Sequence, residues 1–158
     1  MSLAITPATR EDVPLILSLI RELADYEKLA HLVTATEAGL AATLFGATPG
    51  AEVRIARWDD EPAGFALFFP NYSTFLGQSG LYLEDLYVRA AFRGRGVGRS
   101  LLRALAAIAV ERGYGRMEWW VLDWNAPAIG FYEKLGAEPM NDWTVFRLTG
   151  DALKHLAE

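Results

Sequence analysis

Three glycines at positions 94, 96 and 98, set among Arg93, Arg95 and Arg99, form the densest chemical signal in the chain. Without Cβ atoms, successive backbone amides at such glycines can turn into one concavity and point at an anion. The residues after them predict a helix starting near Val97, whose positive dipole end falls at the same point. Five arginines lie between Arg89 and Arg103 in a chain whose formal net charge is -5. A diphosphate is the natural occupant of such a turn. A nucleoside-triphosphate loop needs Gly-Lys followed by Ser or Thr, but Gly98 is followed by Arg99. The dinucleotide fingerprint needs its third glycine at the position Arg99 occupies. The alternative left open is a tight strand-to-helix connection that holds nothing.

Composition narrows the remaining chemistry. The chain has no cysteine, which excludes disulfides, thiolate metal sites and a cysteine nucleophile, and His31 and His155 are its imidazoles. A metal is not expected. The net charge argues against nucleic-acid binding, which is driven by phosphate neutralisation, and suits a cationic small molecule. No stretch approaches the roughly 20 unbroken apolar residues of a membrane span, and no basic leader precedes an apolar block, so the expected address is the cytoplasm. With 158 residues, 52% of them hydrophobic, and no repeat or linker, one domain over 1–158 is expected.

The elements that must position the turn are legible from periodicity. Ile5 closes a short first strand. Val13, Ile16, Leu17, Ile20 and Leu23 recur at helical spacing through to about Lys28, with Thr9 or Asp12 as cap and Pro14 near the start. A second helix spans about Thr36 to Phe45. Strands at Glu52–Trp58 and Ala63–Phe69 flank a hairpin turn at Asp59-Asp60-Glu61-Pro62. The strand Leu81–Val88 is read with Leu81, Leu83, Asp85 and Tyr87 on one face and Tyr82, Glu84, Leu86 and Val88 on the other. After the glycine turn come a helix to about Arg112, stopped by Gly113, and a strand at Met117–Leu122. A helix capped by Asn125 and stopped near Gly136 follows, then a last strand at Thr144–Leu148. The fold class is α/β (α+β): a mixed, twisted central sheet of about six or seven strands with helices on both faces.

Arg93-Gly94-Arg95-Gly96-Val97-Gly98 resembles the R/Q-x-x-G-x-G/A coenzyme-A motif of the GNAT superfamily of N-acetyltransferases. Leu81–Val88 is similar to that family's fourth strand, and Asn125 through Gly136 resembles its N-x-x-A-x-x-x-Y-x-x-x-G helix. Tyr82-Leu83-Glu84-Asp85, the Glu22–Glu27 segment and Val121-Leu122-Asp123-Trp124-Asn125 resemble the diamine and thialysine acetyltransferases. Tyr72-Ser73-Thr74-Phe75 is closer to the thialysine branch. The likeness extends over nearly the full chain.

The resemblance implies direct acetyl transfer from acetyl-CoA to the primary amine of a small molecule, thialysine- or lysine-like or a diamine, without a covalent acyl-enzyme. An alkylamine has a pKa of about 10.4 and arrives protonated, so a base is needed, and Glu84 matches the family's glutamate. Tyr132 matches the tyrosine that protonates the leaving thiolate. Amides after Glu84, where the family strand is bulged, would face the carbonyl oxygen. The resemblance assigns Leu86, Tyr87, Val88, Arg93, Gly94, Arg95, Gly96, Val97, Gly98, Arg99, Asn125, Tyr132 and Lys134 to the cofactor. It assigns Tyr26, Glu27 and Glu84 to the amine, and it implies a homodimer. The alternatives are a protein or peptide N-terminal acetyltransferase and a non-catalytic acyl-CoA sensor.

Overall fold

The computed structural model describes residues 2–158, which fall into two compact units, one ending at Trp120 and one running from Val121 to Glu158. The first unit holds β1 (Leu3–Pro7), α1 (Val13–Tyr26), α2 (Glu37–Phe45), β2 (Glu52–Trp58), β3 (Glu61–Ser73), β4 (Gln78–Val88), α3 (Val97–Glu111) and β5 (Met117–Trp119). The second holds α4 (Ala126–Lys134) and α5 (Gly150–Leu156). The sheet runs β1-β2-β3-β4-β5, antiparallel from β1 to β4, with β5 returning parallel to β4 after the α3 crossover.

Helix α1 forms because its apolar residues recur on one face and because both of its ends are closed. The Thr9 amide donates to Asp12 Oδ2 at 2.8 Å, capping the 3-10 turn Arg10–Asp12 that leads straight into α1, and Pro14 sits in the first turn, where its missing N–H costs nothing. At the other end Lys28 adopts φ 61° while its amide and that of Leu29 bond back to Asp25 and Ala24. This left-handed terminus fixes Tyr26 and Glu27 in space. Ile16 and Leu19 pack with Leu44 of α2 and with Val53, Ile55 and Phe65 of the sheet. Each such fully buried side chain contributes about 1.5–3 kcal/mol.

Helix α3 covers the opposite face of the sheet. Its Val97, Leu101, Leu102, Leu105 and Ala109 are buried. Tyr87 packs against the α1 core, while its neighbour Val88 points the other way, its Cγ2 lying 3.6 Å from where a Cβ on Gly98 would stand. Gly113 stops α3 with φ 72°, and the Arg112 guanidinium pairs bidentately with Glu52 at 2.7 and 2.9 Å.

Three expectations are corrected. Among the described residues the sheet has five strands, not six or seven. Residues 144–148 form no strand, and Met117–Leu122 keeps only Met117–Trp119. Alternation in 144–148 satisfies the local pattern, but a strand exists only where a neighbour accepts its hydrogen bonds, and every residue from Glu138 to Thr149 is exposed. The β2–β3 turn is also tighter than expected. Asp59 and Asp60, at φ 49° and 68°, make a two-residue turn of the primed type, and Glu61 and Pro62 already belong to β3.

Candidate active site

Strand β4 is the spine of the site, and its expected alternation fails at one residue. Leu67 of β3 pairs with Asp85 and Phe68 pairs with Leu83, so Glu84 is an extra residue, a β-bulge. Leu81 and Leu83 oppose Pro70 and Phe68, whereas Asp85 and Tyr87 oppose Leu67 and Phe65. Residues 65 and 68 point to opposite faces of β3, so Leu83 and Asp85 also face opposite ways, against the alternation read from sequence. On its other edge β4 pairs with β5 only through Leu81, Tyr82 and Leu83. Among the described strands nothing lies along that edge beyond Leu83. The β5-side main-chain groups of residues 84–88 are therefore free of sheet hydrogen bonds, and of these the Val88 carbonyl is taken by Arg93 Nε.

The bulge sets Asp85 on the α1 face, within electrostatic reach of Glu84 and of Glu27 at the end of α1. Glu84 is exposed, whereas Asp85 is half-buried on the α1 face. Burial pushes the Asp85 carboxyl up to about 7, and the charges of Glu84 and Glu27 push in the same direction. Burial also pushes the Glu27 carboxyl up from its ordinary value. Three acids thus share one neighbourhood with a net demand for positive charge. Tyr82 is pushed up to about 12, first by burial and then by Glu84, Glu118 and Asp85, so its phenol stays protonated. Asp85 was missed from sequence. The signal was the Glu84-Asp85 pair itself, which strict alternation had assigned to separate faces.

The glycine turn sits at the other end of β4. Arg89 binds Glu22 of α1 through Nε and Nη2, at 2.9–3.2 Å, and its Nη1 donates to the Pro62 carbonyl at 3.3 Å. Gly94 and Gly96 have φ of 78° and 80°, a conformation glycine adopts without steric cost. The first amide bonded into α3 is that of Ser100, to the Gly96 carbonyl at 3.0 Å. The amides of Val97, Gly98 and Arg99 therefore have no acceptor within the helix and carry its positive dipole end. That donor set suits a diphosphate.

The arginines beside the glycines do not all face outward. Arg93 Nε donates to the Val88 carbonyl at 3.0 Å, and its guanidinium lies 5.1 Å from the Tyr26 ring and 5.7 Å from the Tyr87 ring. Arg93 thereby ties the glycine turn to the tyrosine expected at the amine. Leu86 and Val88, like Tyr87, are half-buried on β4.

In the second unit, Asn125 accepts the Ala128 amide at 3.4 Å and caps α4. The amides of Gly136 and Ala137 close the helix onto Glu133 and Tyr132, with Gly136 at φ 94°. Both ends of α4 are as its sequence predicts. Tyr132 is half-buried, 5.6 Å from the Phe131 ring, and Lys134 is exposed at the C-terminal end. Among the described residues no cluster of three acids or histidines could hold a metal ion.

The sequence model of the Acetyltransferase (GNAT) family matches residues 18–137. L-ornithine N5-acetyltransferase of Arabidopsis thaliana is 38% identical, over 93% of this chain and 84% of its own. Thialysine N-epsilon-acetyltransferase of Bos taurus is 37% identical, over 97% and 96%. Among solved structures, an integron cassette protein from the mobile metagenome of V. cholerae superposes with a TM-score of 0.83 at 28% identity, over 100% of this chain and 99% of its own. An aminoglycoside acetyltransferase from a soil metagenome shares the fold, with a TM-score of 0.78 at 18% identity over 94% and 97%.

Proposed function

The chain belongs to the Acetyltransferase (GNAT) family and is an N-acetyltransferase, and from that premise we propose that it acetylates the primary amine of a small molecule carrying a second charged centre, of the thialysine, lysine or ornithine kind. The observation that carries this reading is the gathering of Glu27, Glu84 and Asp85 where α1 meets the β4 bulge. Such a cluster of carboxyl groups favours a dication over a neutral or anionic acceptor. The acetyl donor of this family is acetyl-CoA, which supplies an activated thioester. Because the family match runs across both compact units, we read 1–158 as one domain.

In this reading Glu84, directly or through water, takes the ammonium proton, and Tyr26 and Glu27 hold the distal end of the amine together with Asp85. The main chain of Leu86 and Val88 binds the acetyl and pantetheine parts along the free edge of β4, with Tyr87 between them at the cofactor. Residues Arg93, Gly94, Arg95, Gly96, Val97, Gly98 and Arg99 hold the diphosphate, chiefly through backbone amides. Tyr132 gives its proton to the departing sulfur, with Asn125 setting the start of its helix and Lys134 supplying charge at the cofactor. General acid and base groups of this sort are worth about 10²–10⁴ each in rate. A cytoplasmic location is proposed on composition alone. Among the described residues no helix is long and apolar enough to cross a membrane. A homodimer is proposed too, supported by Trp143 and Phe146, which are 76% and 92% exposed, and by the exposed Val145 and Leu148 between and after them.

The test is a mass-spectrometric screen of amines with acetyl-CoA: lysine, thialysine, ornithine, diamines, aminoalkylphosphonates and a peptide with a free N-terminus. The reading expects singly acetylated diamino acids with stoichiometric thiol release. Preference for the peptide would overturn it, as would cofactor binding without thiol release across the panel.

A further inference from the structure

Arg95 stands between the two left-handed glycines of the turn, yet its guanidinium is directed back onto the protein. Its central carbon lies 5.3 Å from the centre of the Trp58 ring and 5.5 Å from that of Phe92. Trp58 is the last residue of β2, and Phe92 ends the short 3-10 turn that leaves β4. Two rings from separate segments thus grip one cation. Asp59 and Glu61 line the same cleft, and their carboxylates favour a guanidinium there and disfavour a phosphate.

A Gly-Arg-Gly segment loses more chain entropy on ordering than any segment with side chains at those positions. No side chain packs against Gly94 or Gly96 themselves, since a Cβ built on either meets no atom within 4 Å, and the turn is otherwise held only at its edges, by Arg93 and by the Ser100 amide on the Gly96 carbonyl. The side chain between them is therefore the handle by which the turn can be held. We propose that Trp58 and Phe92 are positioning residues for the cofactor turn: they clamp Arg95, which anchors Gly94 and Gly96 so that the amides are set before the diphosphate arrives. Arg95 then serves through its backbone and its clamp, not as a phosphate ligand. This inference rests on the diphosphate reading of the turn.

The test is calorimetric titration of the full-length protein with CoA, alongside steady-state kinetics with acetyl-CoA. Trp58→Leu and Phe92→Leu are each expected to weaken CoA and raise the acetyl-CoA KM about three- to tenfold, with kcat and the amine KM unchanged. Trp58→Phe should restore most of the loss, which a general packing defect would not predict. Trp58→Leu combined with Arg95→Met should bind CoA no more weakly than Arg95→Met alone. Wild-type affinity in Trp58→Leu, or losses that add in the double variant, would overturn the clamp while leaving the cofactor reading intact. Failure of the unaltered protein to bind CoA would overturn both.

Discussion

The Arg93 guanidinium lies 5.1 Å from the Tyr26 ring, joining the segment that follows β4 to the last residue of α1. One residue of the glycine turn thus touches the helix end proposed to hold the amine. Arg93→Gln is expected to raise the KM for both substrates about three- to tenfold, and Arg93→Lys to recover only part, because a cation over two rings and a donor to the Val88 carbonyl are lost together. Bisubstrate kinetics check this. A change confined to acetyl-CoA would show that Tyr26 stands independent of the turn.

Asp85 titrates at about 7 in the fold against 3.8 for a free side chain, so between those pH values the folded chain holds a proton that the unfolded chain has released. That stabilisation is complete below about pH 4 and is lost as pH rises through 7. Asp85→Asn should therefore melt several degrees above the unaltered protein at pH 8, with the gap closing toward pH 4. The same variant should raise the KM for a diamino acid without changing that for acetyl-CoA. Thermal melts across pH test the first outcome and kinetics the second.

Glu84→Gln keeps the size of the side chain and removes its basicity. It should lower kcat about 10²-fold or more and flatten the fall of turnover at low pH, since an amide has no proton to gain there. A pH profile of unchanged shape would remove Glu84 from the role of base.

Tyr132→Phe should depress kcat about 10²-fold while leaving CoA affinity within a factor of about three. Rapid-mixing turnover together with calorimetry separates the two. Undiminished turnover would require another proton source for the thiol.

Lys28 occupies φ 61° at the end of α1, a conformation that costs a residue with a Cβ about 1–2 kcal/mol. Lys28→Gly is expected to raise stability by roughly 0.5–1 kcal/mol, and Lys28→Val to lower it by more, as read from denaturant melts. If the glycine variant also loses affinity for the amine, the fixed helix end is needed to present Glu27.

Local pattern was enough for most of the fold. Glu52–Trp58 was read to the residue, and the stops at Gly113 and Gly136 were visible because a left-handed helix terminus nearly requires glycine. The stop near Lys28 is legible only from the end of the apolar periodicity, because lysine gives no such signal. The extended segment 144–148 was read as a strand because alternation is local while pairing is not. The glycine turn and Glu84 were legible as motifs. Asp85 was not, because its surroundings depend on where the extra residue falls in the ladder: the family resemblance implies a bulge in this strand, but no side-chain pattern in 81–88 places it. The Arg95 clamp was equally hidden, since Trp58 and Phe92 meet only through the tertiary fold.

The extra residue at Glu84 also separates what the strand does for folding from what it does for chemistry. Excising Glu84 would bring Leu83 next to Asp85, and their partners Phe68 and Leu67 are already adjacent, so the shortened strand would zip up regularly with every other side chain still on its present face. The carboxylate proposed as base is a passenger on the scaffold, and a chain lacking it should fold soundly and do nothing.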